Sequence, residues 1–436
     1  MQVILLAAGQ STRLDPISDK NTLEFAGKPL ITHRVAALKK AKIRDILVVG
    51  GKHNLEALEK ALKDFKNVLV IEQKKLEDGM AGGVLAGAEA VKHKNIMVMS
   101  TNDVFEDILF GKVMEAAKKA EDGIIVGKRV NSYFPGGYLK VDKKGFITDV
   151  VEKPGDGKEP SDMVNIVVHL FNNFPAFVKY LKSAKGKADG RYEKALDEYI
   201  KKGKAKLTAL KYTGFWQPVK YPWHILWVME HYMTHQESRI DKSAEISKTA
   251  VIEGDVFIGK NVKVLSNAVI RGPAYIGDNS IVANNSLVRS SMIGSNCVVG
   301  YTTEVARSYL NHDVWTHSNY VGDSVVDHNV SFGAGAVTGN LRFDEENVKS
   351  NIKKDKVDCG TNKFGAIIGS GTRIGINAST NPGVKIGRNC FIGGSMYVDK
   401  DVPDDKMVLM EQKIKVVTNK KPVSMEGRKG MKKKLK

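Results

Sequence analysis

The spacing of apolar positions changes once along the chain. Up to about residue 233, short and nearly continuous apolar runs (QVILLAAG, DILVVGG, NVLVIEQ, NIMVMS) end in small or polar residues. Between them, stretches such as PLITHRVAALKKA and LEALEKALKDF place apolar residues three and four apart, which predicts helices. Parallel strands covered by helices on both faces require apolar runs without alternation. This half reads as an α/β, Rossmann-like domain, with any ligand expected at the ends of its strands.

From Ile240 the period becomes six. The chain reads IDKSAE, ISKTAV, IEGDVF, IGKNVK and onward, and after an irregular middle resumes as IGSGTR, IGINAS, TNPGVK, IGRNCF. A branched apolar residue opening each hexad, with Gly, Asn or Asp between, predicts a left-handed hexapeptide-repeat parallel β-helix. The period fails at VRSSM and VARSY and in the polar segment 341–364, which must loop out of the coil and is a place for function. WHILWVMEHYMTHQESR joins the two patterns as a helix, with Trp223, Trp227, Met229 and Tyr232 expected to pack the halves together. The expected division is 1–222, a helical linker 223–239, the coil 240–412 and a tail 413–436.

Composition changes this picture in two places. Of the net charge of +18, +8 lies in residues 411–436, a segment without apolar periodicity that reads as a disordered, solubilising tail. It shows no aromatic-basic interleaving, so nucleic acid is not an expected partner. Three cysteines without metal spacing suit a reducing cytoplasm, and no apolar stretch reaches membrane-spanning length.

Candidate chemistry begins where the first strand ends. Ala7, Ala8 and Gly9, turning through Ser11 and Thr12, expose successive N–H groups of the kind that cradle phosphate oxygens. Arg13 and Lys20 are cations beside that turn, suited to a leaving pyrophosphate. The whole string, LAAG-x-[GS]-T-R-L followed by a lysine and GKPLI, resembles the signature of sugar-1-phosphate nucleotidyltransferases, with Asp19 where proline usually precedes the lysine. The resemblance implies a base-reading segment at Gln73 and Gly79, with Gln73 forming paired hydrogen bonds to a pyrimidine edge. It further implies a magnesium-binding Asp103 and sugar-phosphate contacts at Gly137, Glu152, Lys153 and Asn165. In GFWQPVKYPW, Pro218 stands where the family carries a second metal-binding aspartate.

The irregular middle of the coil, HSNYVGD followed by FGAGAVTGNLRFD, resembles the acetyltransferase half of bifunctional GlmU-type enzymes, in particular their archaeal-type versions. That resemblance implies acetyl-CoA as cosubstrate and assembly into a homotrimer. It implies His317 as the base for an amine, oriented by Glu304. Tyr320 and Asn340 would position substrate, the Ala334 N–H would meet an oxyanion, and Lys349 and Arg289 would reach a sugar phosphate. Ser331 and Ala306 depart from the family pattern and leave the amino sugar open. The expected activity is nucleotidyl transfer from UTP (or dTTP) to a sugar-1-phosphate such as N-acetylglucosamine-1-phosphate, with acetylation of glucosamine-1-phosphate or a relative. A transferase with the coil as trimerising scaffold, and a catalytically silent nucleotide-sugar-binding regulator, are the other readings of the same motifs.

Overall fold

The computed structural model describes residues 1–186, 190–421 and 425–434. The first half opens with β1 (Gln2–Leu6), β2 (Glu24–Phe25), β3 (Lys28–Pro29), α1 (Leu30–Lys40), β4 (Asp45–Gly50), α2 (Leu55–Leu62) and β5 (Val68–Glu72). It continues through α3 (Gly79–Ala90), β6 (Ile96–Ser100), β7 (Asp103–Phe105), α4 (Ile108–Ala117), β8 (Gly123–Arg129), β9 (Gly137–Val141) and β10 (Ile147–Glu152). It closes with β11 (Met163–Phe171), α5 (Phe174–Ser183), α6 (Arg191–Lys201), β12 (Leu207–Lys211), β13 (Trp216–Pro218) and α7 (His224–Thr234).

β1 is central and parallel to both β4 and β6, and β5 lies parallel beyond β4. Past β6 the sheet turns antiparallel through β11, which carries β8 and β9. The apolar runs seen in sequence are these inner strands: Val3, Ile4, Leu5, Val48, Val49, Met97 and Val98 are fully buried. Successive strands pass to one side of β1 and then to the other, so a crevice opens at its C-terminal end. The short pair β7 and β13, with Pro218 opposite Asp103, forms one wall of that crevice.

The second half is a parallel coil of three sheets. Val251 pairs with Val269 and Val269 with Leu287, while Asn261 bonds Asn279 eighteen residues on, so three hexads complete a coil. The Ile and Val positions stack inside as a continuous core that includes Ile258, Val264, Ile270, Ile276, Val282 and Val288. Asn261, Asn267, Asn279, Asn285 and Asn296 stand at corners with φ between 54° and 60°. Asparagine tolerates this left-handed conformation better than other side chains do, which explains its recurrence between hexads. Val325 pairs across the insert with Ile367, and the excursion folds into an antiparallel hairpin of Lys349–Ile352 with Asp355–Asp358.

The two halves share a core. Leu14, Ile17, Phe25, Trp223, Val228 and Met229 bury against Tyr275, Met292, Tyr309, Phe364 and Ile367, and Tyr232 stacks on Phe25. Within the tail, Met425–Lys434 forms α8, exposed along its whole length. Glu426 in its first turn and Lys432, Lys433 and Lys434 in its last match the helix dipole at both ends, a local effect that compositional reading passes over.

Candidate functional site

A cavity of about 690 Å³ lies at the C-terminal ends of β1 and β6. Ala8, Gly9, Thr12, Arg13, Gln73, Gly79, Asp103, Gly137, Glu152, Lys153 and Asn165 line it, so residues separated by more than 150 positions meet there as the motif order implied. Ala7 does not line it. Ala7 is buried, and its carbonyl accepts from the Asn21 and Asn54 side-chain amides, 2.9 Å each, which fixes the start of the loop. Ser11 faces an adjoining cleft, with φ 55° and its hydroxyl donating to Asp19 at 3.2 Å.

Asp19 replaces the usual proline with a clamp. Its carboxylate also accepts from the Asn21 backbone at 3.1 Å and from the Asn54 side chain, tying the turn to the end of β4. Lys20 is buried beneath this turn, and a Cβ on Gly9 would sit 3.3 Å from its Nζ. Burial lowers the Lys20 pKa, while Asp19 and Asp103 pull it back up. Lys20 therefore sits below the phosphate turn rather than on the cavity wall.

Gln73 is buried at the end of β5. Its amide nitrogen donates to the carbonyls of Lys75 at 3.0 Å and Gly79 at 2.9 Å. Both donors are thus spent on shaping the 73–79 loop, and the side chain offers a ligand one acceptor rather than the paired bonds expected.

Asp103 is buried, and burial raises its pKa against the 2.8 Å hydrogen bond donated by the Trp216 indole. Pro218 lies opposite it and brings no ligand. Sequence reading passed over Lys220, two residues on. It lines the cavity with its ammonium 3.2 Å from the Pro135 carbonyl and 4.0 Å above the Phe134 ring. Burial lowers it to about 8, opposed by Asp103. Its signal was the lone cation two residues after the unexpected proline.

At the other wall, a Cβ on Gly137 would meet Glu152 Oε2 at 3.1 Å and Asn165 Nδ2 at 3.6 Å, so this glycine lets the two polar side chains converge. Asn165 is held from behind: His169 Nε2 lies 2.6 Å from its Oδ1, and Tyr192 Oη lies 2.8 Å from His169 Nδ1. Burial drives the His169 pKa down to about 3, so the ring is neutral, donating through Nε2 and accepting through Nδ1. His169 on β11 carried no motif signal, and Tyr192 and the cavity-lining Glu193 carried none because they sit on helix α6, whose position sequence spacing does not give.

The second set of candidates gathers on one face of the coil. Glu304 and Tyr320 are register partners, and Asn340 donates to Tyr320 Oη at 3.0 Å. Asn340 also bonds Asp323, which is paired with Arg307 at 2.6 Å and 2.7 Å. His317 is exposed, and its imidazole has no hydrogen bond among the described residues; only its backbone is engaged. The carboxylate of Glu304 accepts from Arg289 at 2.8 Å through one oxygen, a charge-assisted pair, and no described hydrogen bond joins it to His317. Ala334 is exposed on a turn whose carbonyl accepts from Asn377 at 2.9 Å. Lys349 lies apart, on the outward side of the insert hairpin, and no described bond joins it to Tyr320 or Asn340.

Comparison with known proteins agrees with both halves. The nucleotidyl transferase family model matches residues 2–219, and the model of the GMPPB C-terminal domain matches 234–357. The chain is 30% identical over 428 residues to the bifunctional protein GlmU of Methanococcus aeolicus, spanning 97% of this chain and 100% of that one. It is 30% identical over 415 residues to the protein of the same name in Methanocaldococcus jannaschii, spanning 94% and 97%. It is also 30% identical to a bifunctional sugar-1-phosphate nucleotidylyltransferase/acetyltransferase of Sulfurisphaera tokodaii, spanning 92% and 98%.

Proposed function

The chain belongs to the GlmU family of bifunctional sugar-1-phosphate nucleotidylyltransferase/acetyltransferases, and from that membership we propose that it makes an activated amino sugar in two steps. The first half transfers a nucleotidyl group, from UTP by preference, to N-acetylglucosamine-1-phosphate. The second half acetylates glucosamine-1-phosphate from acetyl-CoA. The observation that carries this reading is the meeting of the phosphate turn, Gln73, Asp103, Glu152 and Asn165 in one cavity.

In the first reaction an oxygen of the sugar-1-phosphate attacks the α-phosphorus, and the bond to the bridging oxygen breaks. The electron pair leaves with pyrophosphate. Arg13, Lys20 and Lys220 supply fixed positive charge where the negative charge spreads, and the N–H groups of the turn orient the phosphates. Asp103 would be the protein group for a magnesium ion: its carboxylate accepts from the Trp216 indole and the Val167 backbone and keeps further lone pairs that a cation would use. Magnesium often takes one or two carboxylates and completes its shell with phosphate oxygens and water, so Asp103 without a partner at Pro218 fits. When bound, the ion neutralises phosphate charge. Asn165, held by His169, positions the sugar.

In the second reaction the amine nitrogen attacks the thioester carbonyl. His317 takes the amine proton, the Ala334 N–H meets the oxyanion, and coenzyme A leaves as the thiol. The hexad period supports a left-handed coil. Exposed Tyr301, Trp315, Phe343 and Tyr397, at 58%, 57%, 109% and 60% accessibility, support burial of coil faces in a homotrimer. The cysteines Cys297, Cys359 and Cys390 are buried and free, and no described helix is long and apolar enough to span a membrane; these suit a cytoplasmic enzyme.

The test is pyrophosphate release from UTP, magnesium and N-acetylglucosamine-1-phosphate, set within a panel of other nucleotides and sugar phosphates. Thiol release from acetyl-CoA with glucosamine-1-phosphate runs beside it. Release in both assays is expected. Absence of pyrophosphate across the panel, with UTP still bound, would make the first half a binding module.

A further inference from the structure

The insert that interrupts the hexads delivers a cation to the cavity of the other half. Its hairpin is firmly seated. Ser350 Oγ donates to the Gly383 carbonyl at 2.8 Å, the Asn351 side chain donates to Asp401 at 3.1 Å, and Val348 and Ile352 bury in the core shared by the two halves. At the turn stands Lys353, with φ 58°. A lysine in this left-handed region is strained where a glycine would not be, and such strain persists when the surroundings impose it.

Lys353 lines the 690 Å³ cavity together with Gly9, Gln10, Thr12 and Arg13. It also lines the adjoining cleft, beside Ser11. It therefore stands at the junction of the two, over the outer side of the phosphate turn. That cleft contains none of Gln73, Glu152 or Asn165, so the lysine approaches from the phosphate side and away from base and sugar. Among the described residues no carboxylate is paired with Lys353, whereas the neighbouring cations Arg388 and Lys385 are held by Asp15, Asp404 and Asp401. Lys354, next in the chain, lines neither space.

We infer that Lys353 is a phosphate-binding residue of the nucleotidyl site, supplied by the coil, which holds the β- and γ-phosphates of the triphosphate and the pyrophosphate they become. This rests on the function proposed above. It makes the second half a component of the first active site as well as the owner of its own.

The test uses full-length Lys353→Met, which keeps the stem and removes the charge, with Lys354→Met as the control. Titration calorimetry with inorganic pyrophosphate should show about tenfold weaker binding for Lys353→Met, the scale of one charge-assisted phosphate contact. For pyrophosphate release, kcat/KM for the nucleotide should fall by at least about tenfold, with Lys354→Met and acetyl transfer within about twofold of the parent. Lys353→Arg should restore most of the pyrophosphate affinity. Pyrophosphate affinity equal in Lys353→Met and the parent, or no pyrophosphate binding by the parent, would overturn the inference. Because the calorimetry needs no turnover, a parent that binds pyrophosphate but transfers no nucleotide would sink the proposed reaction and leave this inference standing on its own result.

Discussion

At the scale of single residues, the first site works by burying charge in controlled places. Lys20, under Gly9, is desolvated yet flanked by Asp19 and Asp103, so its charge is aimed at the phosphate turn. Lys20→Ala should lower pyrophosphate release by about 100-fold or more, as removal of a preorganised charge does, with acetyl transfer unchanged. Parallel assays of both activities on one preparation check this, and unchanged release would remove Lys20 from the mechanism. His169 is the opposite case, a ring kept neutral to hold Asn165. Its folded pKa of about 3 lies below the ordinary 6.5, so the unfolded chain binds the extra proton between those values. The resulting stability is complete above pH 6.5 and drains away as pH falls toward 3. His169→Phe should flatten that part of a melting-temperature profile and raise KM for the sugar phosphate more than it changes kcat. A profile as steep as the parent's would show that His169 is not the group responsible.

At the scale of elements, the phosphate turn is braced from outside its own domain. The Ser18 N–H and hydroxyl both donate to Asp327 Oδ2 in the coil, at 2.9 Å and 2.6 Å, and Asn311 donates to Oδ1 at 3.0 Å. Burial pushes the Asp327 carboxyl up, but the combined donors from His328 and Ser18 hold it below its usual value. A depressed carboxylate contributes stability above its unfolded pKa and loses it as pH falls through the folded one, so this brace weakens only in strong acid. Asp327→Ala leaves several buried donors without an acceptor and should cost about 2–4 kcal/mol. It should also raise KM for the nucleotide, because the turn loses its far anchor. Denaturant titration and nucleotide kinetics on the same variant check both effects; a stable variant with slack nucleotide binding would still support the brace, and a variant unchanged in both would refute it.

At the scale of the molecule, the two reactions occupy separate surfaces while the two folds share a core. His317→Ala should abolish acetyl transfer and leave pyrophosphate release intact; equal loss of both in a folded variant would contradict that separation. Light scattering should return the mass of a trimer, with exposed aromatics of the coil covered in the assembly. A monodisperse monomer would show that these aromatics face water.

The chain alone declares what repeats or runs locally. Unalternated strands, hexads opened by Ile or Val, Asn at the corners and a phosphate turn after β1 all follow from backbone geometry acting over a few residues. The motif order named Gly9, Gln73, Asp103, Glu152 and Asn165, which one cavity gathers, but it gave no sign of Lys220 or Glu193 on the same walls. Tertiary structure decided the rest, because it turns on neighbours far apart in sequence. The Ser18 to Asp327 bond spans 309 positions, and no spacing rule reaches that far. The resemblance set Glu304 to orient His317, whereas the coil brings Arg289 of the preceding turn onto its carboxylate, since coil neighbours are one turn apart rather than adjacent. Lys349 and Lys353 share one polar insert. The hairpin turns one outward from the coil and carries the other into the cavity of the opposite half, a choice made by where Ile352 and Val348 find apolar surface to bury.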